Sequence, residues 1–487
     1  TGLVVAPGAS LAAPTTCLGK PVTIVATRTV WEGTEGDDVV AMEPGAWDTF
    51  DARGGNDTIC LAIAAGRMPS GHVDAGPGDD TVVNLMPAGT AGATTTVVLG
   101  LGSDTFHGAD VGETVYAETD ISPFDDPYDS DDPYGADPSF TGSQHDVVTG
   151  AATVYSYAPV DGPDQDRVSF STTRGVLYYE GRMGSQGRVD FPDGGAGRIL
   201  LRGMRRLAPA APREVLVDNV GRAVSVGGEA VLTWTGDVSS FTLGGPRRKN
   251  IEPAVSFIGT DARETVEIVD SPVGDVDLGG GDDELVVNSV DFAVVPRSAD
   301  GGAGDDSLAL HATCRTLLVR LDVGATCDGD SGPLAGFEDA VAEASLARGS
   351  LVLVGTSRAE RLVGSGQQVT VRAGAGDDLV HVDLSHVARV WAGAGDDRVM
   401  ADGVDAVVRG QGGSDLVRLR GFGGPSPVPG HTWRQVALGG RGADDLRGTR
   451  DVRPDRLVGG PGKDRAEGRQ GRRDYCSAEA VRGCERP

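Results

Sequence analysis

Eleven short segments of this 487-residue chain carry an aspartate directly behind a glycine-rich run. They read TEGDDVV at 34–40, RGGNDTI at 53–59, GPGDDTV at 76–82, GLGSDTF at 100–106, LGGGDDEL at 278–285 and GGAGDDSL at 301–308. GAGDDLV at 374–380, GAGDDRV at 393–399, GGSDLV at 412–417, GGRGADDL at 439–446 and GGPGKDRA at 459–466 complete the set. The recurring acids are Asp38, Asp57, Asp80, Asp104, Asp283, Asp306, Asp378, Asp397, Asp415, Asp444 and Asp464. Aspartate has the shortest carboxylate stem, and glycine lets a turn close until its carbonyl oxygens converge. The pair therefore builds an all-oxygen environment. A hard cation taking roughly 6–8 oxygens at about 2.3–2.6 Å suits it, which favours calcium over the stricter octahedron of magnesium. Zinc would want cysteine or histidine, and these turns have none.

Spacing determines how the turns are arranged. Asp38 to Asp57 is 19 residues, Asp57 to Asp80 is 23 and Asp80 to Asp104 is 24. Asp283 to Asp306 is 23, Asp378 to Asp397 is 19, Asp397 to Asp415 is 18 and Asp444 to Asp464 is 20; only Asp415 to Asp444, at 29, is loose. A period near 18–24 residues is one coil of a parallel solenoid with two short strands. Residues 379–397 illustrate it: a strand over 379–382, a turn at 383–386, a strand over 387–391, then the next glycine turn. The fold class expected is all-β, an elongated parallel β-roll or β-solenoid with calcium turns mainly along one edge. Stacked coils lie about 4.8 Å apart, so the acids form a column. Unit charges near 4 Å repel by about 4 kcal/mol at an effective dielectric of 20. An empty column should loosen and a filled one zip; roughly six to nine occupied sites would add on the order of 10 kcal/mol. GTDARETV at 259–266 and GTSRAERL at 355–362 put Glu264 and Glu360 at the acid position, as coils that keep the shape and give up the ligand.

The hexad followed by a strand resembles the RTX (repeats-in-toxin, haemolysin-type) calcium-binding family, whose nonapeptide is GGxGxDxUx with U a large apolar residue. Gly301-Gly302-Ala303-Gly304-Asp305-Asp306-Ser307-Leu308 matches it most closely. The resemblance implies a β-roll, Ca2+ as the bound ion, Asp306 and its equivalents as side-chain ligands, and turn carbonyls completing the shell. It covers 33–106 and about 259–475. This chain departs from the family by seldom running nonapeptides back to back, so fewer ions per unit length are expected.

Composition supports that reading. The chain has 74 Gly, 5% aromatics, 71 acids against 43 bases and a formal charge of −28. Twice the usual glycine content with few large side chains does not fill ordinary globular cores. Charge of this sign excludes nucleic acid as a partner, and no apolar run is long enough for a membrane span. Calcium ions are the partner expected, with cell-wall or matrix polysaccharide as the macromolecular class to consider. Residues 401–487 hold 16 basic and 12 acidic side chains. That excess could anchor to an anionic wall, but 40 of the 43 bases are arginine, which favours codon bias as its origin. Residues 1–16 read as a signal-peptide tail or unstructured start, and six cysteines without a C-x-x-C pair read as disulfides of a secreted, extracellular protein. Proximity suggests Cys17 with Cys60, Cys314 with Cys327, and Cys476 with Cys484. The expected organisation is an N-terminal calcium-repeat solenoid at 17–110 and a divergent solenoid or β-rich insertion at 111–255 with an acidic loop at 125–137. The main calcium-repeat solenoid follows at 256–475, then a disulfide tail at 476–487.

The sequence leans away from an enzyme. Cys327–Leu334 resembles the nucleophile stretch of trypsin-like proteases, which would make Ser331 the nucleophile, but the second glycine and any suitable histidine segment are missing. No H-E-x-x-H, G-x-S-x-G or Walker lysine occurs. His381 and His386 read as surface residues around a turn. The alternative kept is a carbohydrate-active β-helix, of polysaccharide lyase or epimerase type, with calcium turns as scaffold; few lysines and aromatic platforms weigh against it.

Overall fold

The structure, a computed structural model, describes residues 15–27, 31–42, 49–61, 71–85, 95–109, 112–117, 145–157, 165–180, 184–202, 214–245, 253–289, 294–344, 349–421, 435–450, 454–469 and 474–484. The opening stretch 1–14 and the acidic loop 125–137 lie outside these. All regular elements among the described residues are strands, so no helix is long and apolar enough to cross a membrane. The chain divides into two compact units, 1–244 with 248–253 and 245–247 with 254–487.

In the first unit, strands of three to five residues pair in parallel with the equivalent strand one coil later. One wall runs Val39–Met42, Thr58–Leu61, Thr81–Asn84, Thr105–His107, Val147–Thr149, Arg167–Ser169 and Gly187–Asp190. The other runs Thr49–Asp51, Gly71–Asp74, Thr95–Val98, Thr114–Tyr116, Thr153–Tyr157, Val176–Glu180 and Gly197–Leu201. In-register pairing stacks like on like. Val40, Ile59, Val82, Phe106, Val148, Val168 and Val189 form one buried column. The strands turn alternate residues inward, as Leu308, Leu310 and Ala312 do in Ser307–Ala312 of the second unit. Burying each side chain of the column contributes about 1.5–3 kcal/mol. Tyr116, Tyr155 and Tyr178 stack the same way outside it, with ring centroids 4.4 and 4.1 Å apart.

The divergent middle segment resolves into continued solenoid plus one excursion. Val215–Asp218, Ala223–Val226 and Glu229–Thr235 form an antiparallel meander, and its last strand rejoins Gly187–Asp190 in parallel.

The second unit repeats the plan. Val380, Val399, Val417, Leu446 and Ala466 form a buried column ending at Val481, which is 45% exposed. Here the sequence reading of a turn at 383–386 needs correction. Leu379–Ala394 and Arg398–Gly412 are continuous strands of 16 and 15 residues that round the corner through a register shift between Val382 and Ser385. Small residues allow it: buried Ser385 sits opposite Gly403, so pairing persists where a bulkier corner would break it. A second antiparallel excursion, Thr316–Arg320, Gly324–Cys327 and Asp330–Gly332, carries Ser331 exposed opposite Thr326.

Disulfides join Cys17 to Cys60, Cys314 to Cys327 and Cys476 to Cys484, the pairs that proximity suggests. The first closes a 43-residue separation and ties the opening hairpin, Thr16–Cys17 with Lys20–Pro21, to the solenoid wall.

Candidate metal centre along the turn edge

Each glycine turn delivers its aspartate to the mouth of a strand, and the eleven predicted acids are all buried, at 6% exposure or less. They stand in columns because the strands behind them are in register. The contact between successive acids is direct. In the first unit the backbone N–H of Asp38 donates to Oδ1 of Asp57 at 2.7 Å, Asp57 to Asp80 at 2.7 Å and Asp80 to Asp104 at 2.7 Å. In the second unit Asp283 donates to Asp306 at 2.8 Å, and Asp378, Asp397, Asp415 and Asp444 donate in turn to Asp397, Asp415, Asp444 and Asp464 at 2.9–3.0 Å. Each carboxylate therefore caps a backbone amide of the coil before it. The expectation that a cation alone holds the rungs together needs revision, since one carboxylate oxygen per rung is already committed to the backbone.

Where the residue just before the acid is Asp, Asn or Ser, it takes part in a second ladder running the other way. Asp79 N–H donates to Asn56 Oδ1, Ser103 N–H to Asp79 Oδ1, Asp396 N–H to Asp377 Oδ1 and Ser414 N–H to Asp396 Oδ1, at 2.6–3.0 Å. Paired acids in the sequence thus have divided work: the exposed one reaches forward, the buried one reaches back. Turn backbones add a third link, as Gly376 N–H donates to Ala394 O and Gly395 N–H to Gly412 O. Gly395 has φ +135° and lies so close to Gly376 O that a side chain would overlap it.

The second carboxylate oxygen is different. In ten of the eleven acids, all but Asp38, Oδ2 is buried with no hydrogen-bond partner. Where a glycine stands five residues before the acid, Oδ2 folds back over it: a Cβ on Gly410, Gly439 or Gly459 would collide with Oδ2 of Asp415, Asp444 or Asp464, whereas Asp57, Asp80, Asp104, Asp283, Asp378 and Asp397 have Ala or Leu at that position. Gly-x-x-x-x-Asp is thus a steric pair. Asp38 is capped by Thr34, whose N–H and Oγ1 reach Oδ2 at 2.8 and 2.9 Å. The same threonine device serves the glutamate coils, where Thr260 and Thr356 donate N–H and hydroxyl to Oε1 of Glu264 and Glu360. Threonine at the second turn position thus caps one carboxylate oxygen; in Glu360 the other, Oε2, stays buried without a hydrogen-bond partner.

Burial without a partner acts on protonation. Desolvation, more than the neighbouring charges, pushes Asp80 up to about 8, Asp104 and Asp415 to about 7, and Asp57, Asp283, Asp306 and Asp397 to about 6. Backbone hydrogen bonds oppose this and do not overcome it. Burial likewise raises Asp378 and Asp444.

Six further rungs escape the glycine-hexad pattern. Asp104 donates to Asp146 and Asp146 to Asp166, at 2.8 and 2.9 Å, across a stretch without glycine hexads. Glu338 and Glu479 accept from Asp306 and Asp464 at 2.9 and 2.8 Å. Asp455 donates to Asp474 at 2.9 Å, on the strands of the opposite wall. The last coils therefore carry acids on both edges, and Asp455, Asp464 and Asp474 follow at intervals of 9 and 10 residues. The usable signal was an acid one residue before the x-apolar strand start, whatever precedes it.

Among the described residues, one other group brings metal-type donors together. Single donor atoms of His381, Asp383 and Asp402, on the outward face of Leu379–Ala394 and Arg398–Gly412, lie within 4.8 Å of one another. Asp402 has a guanidinium, Arg420 Nη1, 3.8 Å from Oδ2. His381 thus belongs to an outward polar cluster; the sequence reading made it a plain surface residue. Compared with known protein families and with curated proteins, the chain matches none, so the site is read from its geometry.

Two outcomes follow. Gly410→Ala should destabilise the chain by more than about 2 kcal/mol in urea unfolding, whereas Gly71→Ala, with nothing within 4 Å of its added Cβ, should stay within about 1 kcal/mol. Equal costs would contradict the steric pairing. In chelator, stability should fall as pH rises. Carboxyls raised in the fold stabilise it fully below about pH 4 and lose that contribution as pH climbs through about 6 to 8. Melting followed by circular dichroism from pH 5 to 8.5 measures it, and a flat or rising Tm would refute the assignment.

Proposed function

We propose that this chain is a secreted calcium-binding β-roll protein whose folding is completed by Ca2+ in the stacked Gly-Asp turns, with a structural, surface or adhesive role, as its resemblance to the RTX repeat implies. The observation that carries the proposal is the row of ten buried carboxylate oxygens without partners. An ionised oxygen left unpaired in such a site is costly, and a divalent ion with turn carbonyls is the group that removes the cost at neutral pH. Asp57, Asp80, Asp104, Asp283, Asp306, Asp378, Asp397, Asp415, Asp444 and Asp464 would supply the charge. Bound calcium supplies positive charge without demanding strict geometry. Asp38 fits less well, because Thr34 already occupies its second oxygen. Three disulfides agree with folding in an oxidising, extracellular space, where millimolar calcium is at hand.

A second reading keeps the β-helix as a carbohydrate-active enzyme with the turns as scaffold. The outward cluster of His381, Asp383, Asp402 and Arg420 favours it. Degradation or epimerisation of a uronate polymer by the purified protein, lost in His381→Ala, would select that reading.

Calcium should raise Tm at pH 8 by far more than at pH 5, because the acids that repel each other when ionised are those it neutralises. Asp397→Asn separates the parts. It keeps an oxygen to accept the Asp378 N–H and removes a buried charge, so without metal its Tm should equal or exceed that of the parent. With calcium it should gain less than the parent. Absence of any calcium-dependent change in Tm or far-UV β signal would end the proposal.

A further inference from the structure

The last coils of the second unit hold a feature opposite in sign to the rest of the chain. A cavity of about 360 Å³ is lined by Arg418, Leu419, Arg420, Gly421, Arg450 and Arg469. Four arginines thus line one concavity in a protein of formal charge −28. Their placement follows from the coil. Arg418 and Arg420 alternate outward on Leu416–Arg420, with buried Leu419 between them. Arg418 stands beside Arg447 of the next coil, which stands beside Glu467 of the one after. Arg450 and Arg469 follow those two strands by three and two residues, so Arg420, Arg450 and Arg469 belong to successive coils and line the same cavity.

Of the four, Arg420 alone has an ion-pair partner among the described residues. Arg420 has Asp402 at 3.8 Å, and Arg447, outside the cavity, is held by Asp445 at 2.7 Å. Among the described residues, Arg418, Arg450 and Arg469 have no ion-pair partner. Codon bias explains arginine in place of lysine. It does not explain why four converge on one hollow while the chain's many acids lie elsewhere.

We infer that this cavity binds an anionic polysaccharide, taking the carboxylate or sulfate of one or two acidic sugar rings between Arg418, Arg450 and Arg469. Planar guanidinium forks match such oxyanions in paired hydrogen bonds. The volume lies at the small end of ligand pockets, about 300–1,000 Å³, enough for a ring or two. Successive coils rise about 4.8 Å, a step comparable to that of a polymer bearing one anionic group per sugar. A nucleic acid is disfavoured, since an extended polyphosphate would meet the negative remainder of the chain. The site lies at the opposite strand ends from the glycine-hexad turns of Asp415, Asp444 and Asp464.

Full-length protein, held in constant calcium and about 50 mM salt, is titrated by calorimetry with three probes: an oligogalacturonate, a sulfated oligosaccharide and a DNA duplex. At least one acidic oligosaccharide should bind, with affinity falling as salt rises. R418Q/R450Q/R469Q should weaken it about tenfold or more, whereas Arg167→Gln and Arg188→Gln, in the first unit, should leave it unchanged. R418K/R450K/R469K keeps the charge without the fork and should fall between, which separates binding from any loss of fold in the glutamine variant. Circular dichroism of each variant in the same calcium reports the turns separately. Binding of neither oligosaccharide, equal binding by the triple glutamine variant, or tighter binding of the duplex would overturn the inference.

Discussion

A buried carboxylate that caps the backbone of the neighbouring coil is the interaction on which this structure rests. A parallel solenoid pairs its strands coil to coil, but at each corner the backbone leaves the ladder and its N–H groups need acceptors. Aspartate at the strand mouth supplies one, with Oδ1 2.7–3.0 Å from the amide of the coil before, as in Asp57 to Asp80 and Asp397 to Asp415. Everything else at the edge accommodates that side chain. Glycine five residues before Asp415, Asp444 and Asp464 clears the space, a preceding Asp, Asn or Ser adds the opposite ladder, and Thr34 closes the Asp38 turn, whose second oxygen is satisfied locally. The same requirement creates the tension in the molecule, because the acid that satisfies a backbone donor leaves its own second oxygen dry.

That tension links stability to function. Protonation and a divalent cation are alternative ways of relieving it, and they operate under different conditions. Near pH 5 the raised carboxyls can hold their protons; near pH 8 they are ionised, and a cation becomes the remaining remedy. Rung-to-rung repulsion is the smaller part of the cost, and loss of water the larger, as the causes behind the raised values of Asp80 and Asp415 show. Strand register alone lines these carboxylates up into columns along the turn edge.

How much of this could be read in the sequence depends on what generated each signal. The coil period, the parallel all-β architecture and the alignment of Asp378, Asp397 and Asp415 were legible because register copies the spacing of the acids directly. The pairings of the six cysteines were legible because coils bring near neighbours together. Asp146, Asp166, Glu338 and Glu479 were not, because their turns solve the same corner without the glycine hexad. Asp455 and Asp474 were hidden by arginine-rich spacers such as GRQGRRD at 468–474. The continuous corner at Ser385 and Gly403 was missed for a related reason, since DLSH has the composition of a turn while its small residues allow a strand to bend. The direction of the hydrogen bonds, which assigns each acid of a pair its role, has no trace in composition at all.

The central claim is that each dry carboxylate oxygen of the column is the place where a divalent ion enters. Crystals grown with calcium, or with a lanthanide in its place, test it through anomalous scattering. The account expects a row of anomalous peaks following the edge, each in contact with the second oxygen of an acid such as Asp378, Asp397 or Asp415. Difference maps without peaks there, at neutral pH and with the fold intact, would contradict it.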